Sequence, residues 1–154
     1  MSEPGKQEIG GRLPQKDIDL SGLRILVVED SPILTLVYRR ALADLGLSGN
    51  TSFAETSPQA EKIFDALRAQ GVEPNVVLLD YHIPGGDGLQ VLHTLRAKSP
   101  ELAATMITSM SEEDLRQKES TEEYGYINKD RFTVDSLKSN LEKFATKLNS
   151  KQAS

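Results

Sequence analysis

The stretch that decides the fold is Val76-Val77-Leu78-Leu79-Asp80-Tyr81-His82-Ile83-Pro84-Gly85-Gly86-Asp87-Gly88. Its first four residues are all apolar, and the run stops at Asp80. An unbroken apolar run of this length, bounded by turn residues, is typical of a strand buried on both faces of a parallel sheet. Asp80 would then lie at the carboxyl end of the strand, where open α/β sheets bind their ligands.

Composition narrows the class of protein. The chain has 154 residues, a hydrophobic content of 38%, a net charge of −5 and no cysteine. The length suits one domain, and the mixed, mildly acidic charge argues against a nucleic-acid or membrane-surface partner. The absence of cysteine excludes disulfides, thiolate metal sites and cysteine catalysis. Because no apolar run reaches the ~20 residues of a membrane span, we expect a cytoplasmic protein.

Strand and helix patterns alternate along the rest of the chain. Further β-type runs are predicted over 23–28, 50–54, 103–107 and 124–127, and the polar second run suggests an edge strand. Helices are predicted after five start signals, namely Ser31-Pro32, Ser57-Pro58, Asp87, Ser111 and Thr133. Five strands alternating with five helices predict an α/β sandwich with a parallel sheet.

Three helices and the two ends of the chain carry specific expectations. In the first helix Leu34, Val37, Tyr38, Ala41 and Leu45 recur at helical spacing and predict its buried face. The segment from Ser111 to Glu123 is so polar that a long, firmly packed fourth helix is not expected. Residues 1–22 are predicted to be a flexible arm, 23–148 the folded domain and 149–154 a disordered tail.

Polar side chains follow four of the predicted strands. Because parallel strands share one carboxyl edge, this edge should collect Glu29, Asp30, Asp80, Thr108 and Lys129. Carboxylates this close repel one another, which favours a bound divalent cation, and donors that are all oxygen suit Mg²⁺. A carboxylate beside such a metal can accept a phosphoryl group, and a hydroxyl and an ammonium can bind its oxygens.

Four motifs in this order carry a family resemblance: Val28-Glu29-Asp30-Ser31, Leu79-Asp80-x-x-Ile83-Pro84-x-x-Asp87-Gly88, Ile107-Thr108-Ser109 and Tyr126-Ile127-Asn128-Lys129. With their spacing, they resemble the receiver domains of two-component response regulators over roughly residues 23–148. The resemblance implies a flavodoxin-like three-layer sandwich with strand order 2-1-3-4-5. It also implies Mg²⁺-dependent phosphorylation of an aspartate by a sensor histidine kinase or a histidine phosphotransfer protein.

The resemblance also implies a role for each matching residue. Asp80 would be the phosphoacceptor, and Thr108 and Lys129 would bind the phosphoryl group. The metal ligands would be Asp30, Asp80 and the backbone carbonyl of His82, with Glu29 acting through water.

A switch and a phosphoryl lifetime are implied in the same way. Movement of Thr108 toward the phosphoryl group would let Tyr126 rotate inward and repack the surface made by helix 4, strand 5 and helix 5. His82 and Met110 stand at the positions that tune the phosphoryl lifetime. Since Met110 has no polar group to orient an attacking water, we expect slow self-dephosphorylation.

Two departures from the family pattern stand out. Asp130 replaces the proline that usually follows the lysine, so the Lys129–Asp130 bond need not be cis, and this acid is a possible competitor for Lys129. The fourth helix also lacks the usual small Gly-Ala pair before the last strand.

We therefore expect a stand-alone response regulator, not an enzyme, that signals through a downstream protein target or a phosphorelay. A phosphorylation-dependent homodimer is a further expectation. One alternative is a pseudo-receiver that binds partners without phosphorylation. Another is a Mg²⁺-dependent phosphatase with Asp80 as nucleophile, although His82 occupies the position where haloacid-dehalogenase-like enzymes carry their general acid.

Overall fold

A five-stranded parallel sheet organises the computed structural model, which describes residues 17–118 and 120–153. The strands are β1 (Ile25–Val28), β2 (Thr51–Ala54), β3 (Val76–Leu79), β4 (Ala103–Thr108) and β5 (Gly125–Asn128). They pair in the order β2-β1-β3-β4-β5, with all four pairings parallel. The predicted strand order and the edge position of β2 are confirmed. Two further short strands, His82–Ile83 and Gly86–Asp87, form an antiparallel hairpin after Asp80.

Four helices connect the strands and a fifth follows β5: α1 (Pro32–Asp44), α2 (Ser57–Ala69), α3 (Gly88–Lys98), α4 (Glu112–Arg116) and α5 (Val134–Ala153). Short 3-10 turns cover Ser48–Asn50 and Lys129–Arg131. Side chains cap the helices as predicted at Ser31, Asp87, Ser111 and Thr133. The cap of α2 was placed one residue too late, because Thr56 and not Ser57 accepts the Gln59 N–H.

Helices cover both faces of the sheet and complete three layers. On one face, α1 and α5 pack on alternate strand residues that include Val27, Leu78 and Ile127. On the other face, α2, α3 and α4 pack on the intervening residues, such as Leu26 and Leu79. Since β1 and β3 are buried at every position, the expected doubly buried strands are confirmed.

The structure corrects the predicted buried face of α1 and the predicted tail, and it describes only part of the predicted arm. Val37 is 40% exposed, so the buried stripe of α1 is narrower than the apolar spacing suggested. The disordered tail predicted over 149–154 is wrong for 149–153, which continue α5, while Ser154 lies outside the described residues. The flexible arm falls mainly on residues 1–16, also outside them. Within the described part Leu20 packs on the core, and Asn149 Nδ2 donates to the Asp19 carbonyl at 3.2 Å.

The fourth helix is short, as the polar sequence after Ser111 predicted. Helix α4 has only five residues, of which Leu115 is buried, and residues 117–124 form no regular structure where they are described. Across residues 17–118 and 120–153, no peptide bond is cis and no helix is long and apolar enough to cross a membrane.

Candidate functional site

The alternation of side chains along the strands brings three charged groups together. Val27, Leu78 and Ile127 point to the face covered by α1 and α5, so the residues two positions further along point the same way. Those residues are Glu29, Asp80 and Lys129. All three lie at the carboxyl edge of the sheet, as the sequence predicted.

Lys129 joins the two acids. Its Nζ atom donates a hydrogen bond to Asp80 Oδ2 at 2.5 Å and forms an ion pair with Glu29 Oε1 at 3.0 Å. Burial by itself lowers the pKa of the Lys129 ammonium, but the contacts with Asp80 and Glu29 outweigh it and raise that pKa. Lys129 therefore remains a cation in the site.

Glu29 is the most deeply buried of these groups, with only 3% of its surface exposed. Burial raises the pKa of its carboxyl group, against the opposing effects of the Ser31 N–H, which donates to Oε2 at 3.0 Å, and of Lys129. The Oε1 atom has the ion pair with Lys129 at 3.0 Å and no further hydrogen-bond partner among the described residues.

The predicted magnesium ligands follow two neighbouring strands, β1 and β3, but do not form a preformed cluster. No group of three or more His, Cys, Asp or Glu side chains among the described residues is arranged to hold a metal. Asp30 is exposed, and Asp80 Oδ1 accepts only a long hydrogen bond of 3.4 Å from the His82 N–H. Three carboxylates and one ammonium nevertheless leave the site a formal charge of −2. One or two carboxylates, a carbonyl and several waters suffice for Mg²⁺, so the donor set fits this ion.

Three of the four residues predicted to form the switch and tune the lifetime are linked through one backbone segment. Thr108 is fully buried, and its Oγ1 accepts from the Met110 N–H at 3.3 Å. The Tyr126 hydroxyl donates to the Met110 carbonyl at 2.6 Å. Asn128, which the sequence analysis did not single out, donates to the Tyr126 hydroxyl at 3.3 Å. The only sequence signal for Asn128 was its place between Tyr126 and Lys129.

The remaining predicted residues lie at the rim. The His82 side chain is exposed, and its ring meets Tyr81 edge to face at 5.1 Å. Asp130 is also exposed, and its N–H donates to Asn128 Oδ1 at 2.9 Å. Among the described residues, the side-chain ion pairs of Lys129 go to Glu29 and Asp80, and Asp130, named as a possible competitor for Lys129, is not one of these partners.

Fold and site together define an α/β module with a charged cluster at the carboxyl edge of a parallel sheet, and comparison with known proteins assigns its family. The family model for the response regulator receiver domain matches residues 25–142. The chain belongs to this family, as the sequence motifs predicted.

Relatives and solved structures agree with this assignment. The chain is 36% identical to the probable transcriptional regulatory protein TcrX of Mycobacterium tuberculosis over 85 residues, which cover 55% of this chain and 33% of TcrX. The chemotaxis protein CheY4 of Vibrio cholerae superposes with a TM-score of 0.65 at 21% identity, covering 79% of this chain and 97% of that one. A signal receiver domain from Pseudomonas fluorescens superposes with a TM-score of 0.68 at 17% identity, covering 92% and 97%. The structural matches show the fold, and the alignment to TcrX spans about a third of that protein's length.

Proposed function

We propose that this chain is a phosphorylation-controlled signalling switch and that Asp80 is its phosphoacceptor. The observation that carries the proposal is the pairing of Asp80, 8% exposed, with the Lys129 ammonium beside the second buried acid, Glu29. A carboxylate held against a cation at the carboxyl edge of a parallel sheet is suited to accept an anionic group.

The transfer itself needs little from the protein beyond position and charge. An oxygen of Asp80 forms a bond to the phosphorus of a phosphohistidine on the donor protein. The phosphorus–nitrogen bond breaks, and the imidazole nitrogen keeps the electron pair. Lys129 already touches Asp80 and stays within reach of the phosphoryl oxygens, whose charge it balances.

Magnesium is part of this proposal because the donor set fits it. Asp30, Asp80 and the backbone carbonyl of His82 would hold the ion, and Glu29 would act through water. When bound, the ion would neutralise the charge on the phosphoryl oxygens. Without it, the acids of the site have Lys129 as their cation.

The hydrogen bonds around Met110 support the switch. A phosphoryl group on Asp80 offers the Thr108 hydroxyl a new oxygen to which it can donate a hydrogen bond. Movement of Thr108 disturbs the hydrogen bond that its Oγ1 accepts from the Met110 N–H. The Met110 carbonyl in turn accepts a hydrogen bond from the Tyr126 hydroxyl. The event at Asp80 would thereby reach the surface made by α4, β5 and α5, where a downstream protein would bind.

An exposed apolar patch supports the expectation of a protein donor. Ile33, Leu36 and Val37 are 74%, 65% and 40% exposed, and all lie in the first two turns of α1, which begins two residues after Asp30. A phosphohistidine reaches Asp80 only if its carrier covers this edge of the sheet. We therefore assign the patch to the phosphodonor protein. Leu36→Lys should slow transfer from such a protein and leave phosphorylation by acetyl phosphate unchanged.

The test of the proposed function is phosphorylation with acetyl phosphate or phosphoramidate, followed by intact mass. With Mg²⁺ we expect one added phosphoryl group, which is absent in Asp80→Asn and in chelator. Absence of any adduct, together with no Mg²⁺ binding, would support the pseudo-receiver instead. Steady turnover of a small phosphoester would support the phosphatase. The matched segment covers only 33% of TcrX, so the stand-alone organisation stays a prediction. The phosphorylation-dependent homodimer is also a prediction.

A further inference from the structure

A tyrosine hydroxyl lies buried without a partner close to the candidate site. Tyr38 in α1 is 2% exposed, and its Oη atom has no hydrogen-bond partner among residues 17–118 and 120–153. Buried tyrosine hydroxyls are normally hydrogen-bonded, because an unpartnered one loses its hydration without compensation. Among the side chains that the structure describes, the other buried polar atom without a hydrogen bond is Glu29 Oε1, whose contact is the ion pair with Lys129.

The fold directs Tyr38 toward the charged cluster. Tyr38 packs in the same core as Val27, Leu78 and Ile127, the residues that precede Glu29, Asp80 and Lys129 on the same face. Helix α1 begins at the carboxyl edge of the sheet, and helical side chains tilt toward the helix N-terminus. The phenol ring is therefore directed from the core toward Glu29 and Asp80 at the carboxyl edge of the sheet.

Two observations support this placement. The Tyr38 ring meets the Phe132 ring edge to face at 5.1 Å, and Phe132 follows the turn that begins with Lys129. Burial, followed by the negative charges of Glu29 and Asp80, raises the pKa of Tyr38 far above its ordinary value. The hydroxyl therefore keeps its proton and remains a hydrogen-bond donor beside two acids.

Packing alone does not account for the hydroxyl. A phenylalanine would fill nearly the same volume and keep the contact with Phe132 without burying an unpartnered oxygen. In the unphosphorylated chain, Lys129 supplies the cationic contact of Glu29 Oε1. If Lys129 turned to phosphoryl oxygens, or if a bound Mg²⁺ repelled its ammonium, Glu29 would lose that contact, and a neutral donor would be needed that leaves its negative charge intact.

We propose that Tyr38 is a positioning residue of this site, whose hydroxyl donates to the Glu29 carboxylate, directly or through one water, in the metal-bound and phosphorylated forms. The inference rests on the proposed function. The unpartnered hydroxyl destabilises the free protein, and the same hydroxyl holds Glu29 in the metal-bound and phosphorylated forms. This combination gives two effects of opposite sign when the hydroxyl is removed.

The experiment is Tyr38→Phe in the full chain, with thermal unfolding recorded across a Mg²⁺ titration. Without metal, the unfolding midpoint should rise by roughly 3 °C, because the unpartnered group is gone. The Mg²⁺ concentration needed for half of the metal-induced shift should rise roughly fivefold, because Glu29 is less well held. Phosphorylation by phosphoramidate should slow in parallel.

Thr105→Val is the matched control. Thr105 is fully buried on the same face, and its hydroxyl already donates to Asn140 Oδ1 at 3.1 Å. Its removal should lower the unfolding midpoint and leave the Mg²⁺ titration unchanged. The inference is overturned if Tyr38→Phe has the Mg²⁺ dependence of the wild type. A wild-type protein with neither a Mg²⁺ shift nor phosphorylation would instead overturn the proposed function, and the inference with it.

Discussion

The candidate site has a charged side, made of Glu29, Asp80 and Lys129, and a response side, made of α4 and the described residues of 117–124. The two sides are built in different ways. Glu29 and Asp80 follow strands whose four residues are all buried, and Lys129 joins them with its side chain only 13% exposed. On the response side, α4 contributes one buried residue, Leu115, and the described residues of 117–124 have no regular structure. Under the proposed function, this difference is the expected one, because phosphoryl transfer would need fixed groups and a response would need a segment that rearranges at low cost.

Polar contacts hold the response side. Arg96 Nη1 and His93 Nδ1 both lie 3.0 Å from Glu122, and the Arg116 guanidinium lies 4.7 Å from the centre of the Tyr124 ring. Burial opposes the ionised form of Glu122, but the hydrogen bonds from His93 and Arg96 lower its pKa below the ordinary value. Such contacts contribute less to stability than an apolar core and exchange more readily.

The largest expected effect belongs to the charged side. Lys129→Met should lower the free energy of unfolding by about 3 kcal/mol without metal, because it leaves two acids facing each other without their cation. Urea unfolding measures this, and Mg²⁺ should restore part of the loss. Lys118→Met is the control, since Lys118 only lies 5.4 Å from the Tyr81 ring centre and should change stability little. Equal effects of the two substitutions would contradict the difference between the two sides.

Leu115→Ala tests the apolar attachment of α4. Leu115 is fully buried, so its truncation should cost about 2 kcal/mol locally. Hydrogen exchange should accelerate over α4 and the following segment while β3 keeps its protection. Leu92→Ala, at a fully buried position of α3, should instead destabilise the whole domain. If Leu115→Ala accelerated exchange everywhere equally, the response side would not be a separate unit.

Met110→Gln tests the phosphoryl lifetime. A polar side chain at this position should orient water and shorten the half-life of the phosphorylated protein roughly tenfold, which corresponds to about 1.4 kcal/mol in the barrier. Loss of the phosphoryl group is followed by intact mass after removal of the donor. Met110→Leu keeps the apolar character and should behave as the wild type. A wild-type half-life as short as that of Met110→Gln would contradict the expected slow self-dephosphorylation.

The smallest effects concern the contacts of Glu122. Arg96→Ala should cost about 1 kcal/mol, because Arg96 is 18% exposed and its Nε also donates to the Leu102 carbonyl at 2.9 Å. His93→Ala should cost at most about 0.5 kcal/mol, because the His93 side chain is 76% exposed. Chemical denaturation at neutral pH ranks the two. The reverse order would mean that His93, not Arg96, holds this segment.

Local sequence patterns determined the order of the elements and the positions of the strand ends. Buried strands are recognised as unbroken apolar runs, and the polar residues that follow each run mark the edge of the sheet. Glu29, Asp80 and Lys129 were therefore placed at a common edge before any contact was known. The short α4 was also foreseen, because the segment after Ser111 offers little apolar surface to bury. The roles of these residues in phosphorylation stay predictions.

Errors arose where two local signals competed or where distant residues decide. Thr56 and Ser57 both suit a helix cap, and Pro58 is tolerated at either of the first two helical positions, so the cap was misplaced by one residue. Helical spacing says which residues share a face but not how wide the buried stripe is, and Val37 fell outside it. Residues 149–152 are polar, yet 149–153 continue α5. Asn149 contacts Asp19, and Lys151 contacts Glu101.

The sequence by itself determined which chemical groups reach the carboxyl edge, because that depends on residues adjacent in the chain. Only the tertiary structure decided how those groups pair. The Lys129–Asp80 hydrogen bond joins residues 49 positions apart, and the Tyr126–Met110 bond joins residues 16 apart. The unpartnered Tyr38 hydroxyl likewise exists only once α1 is packed on the sheet, because in the pattern of α1 alone Tyr38 is one more core-facing residue.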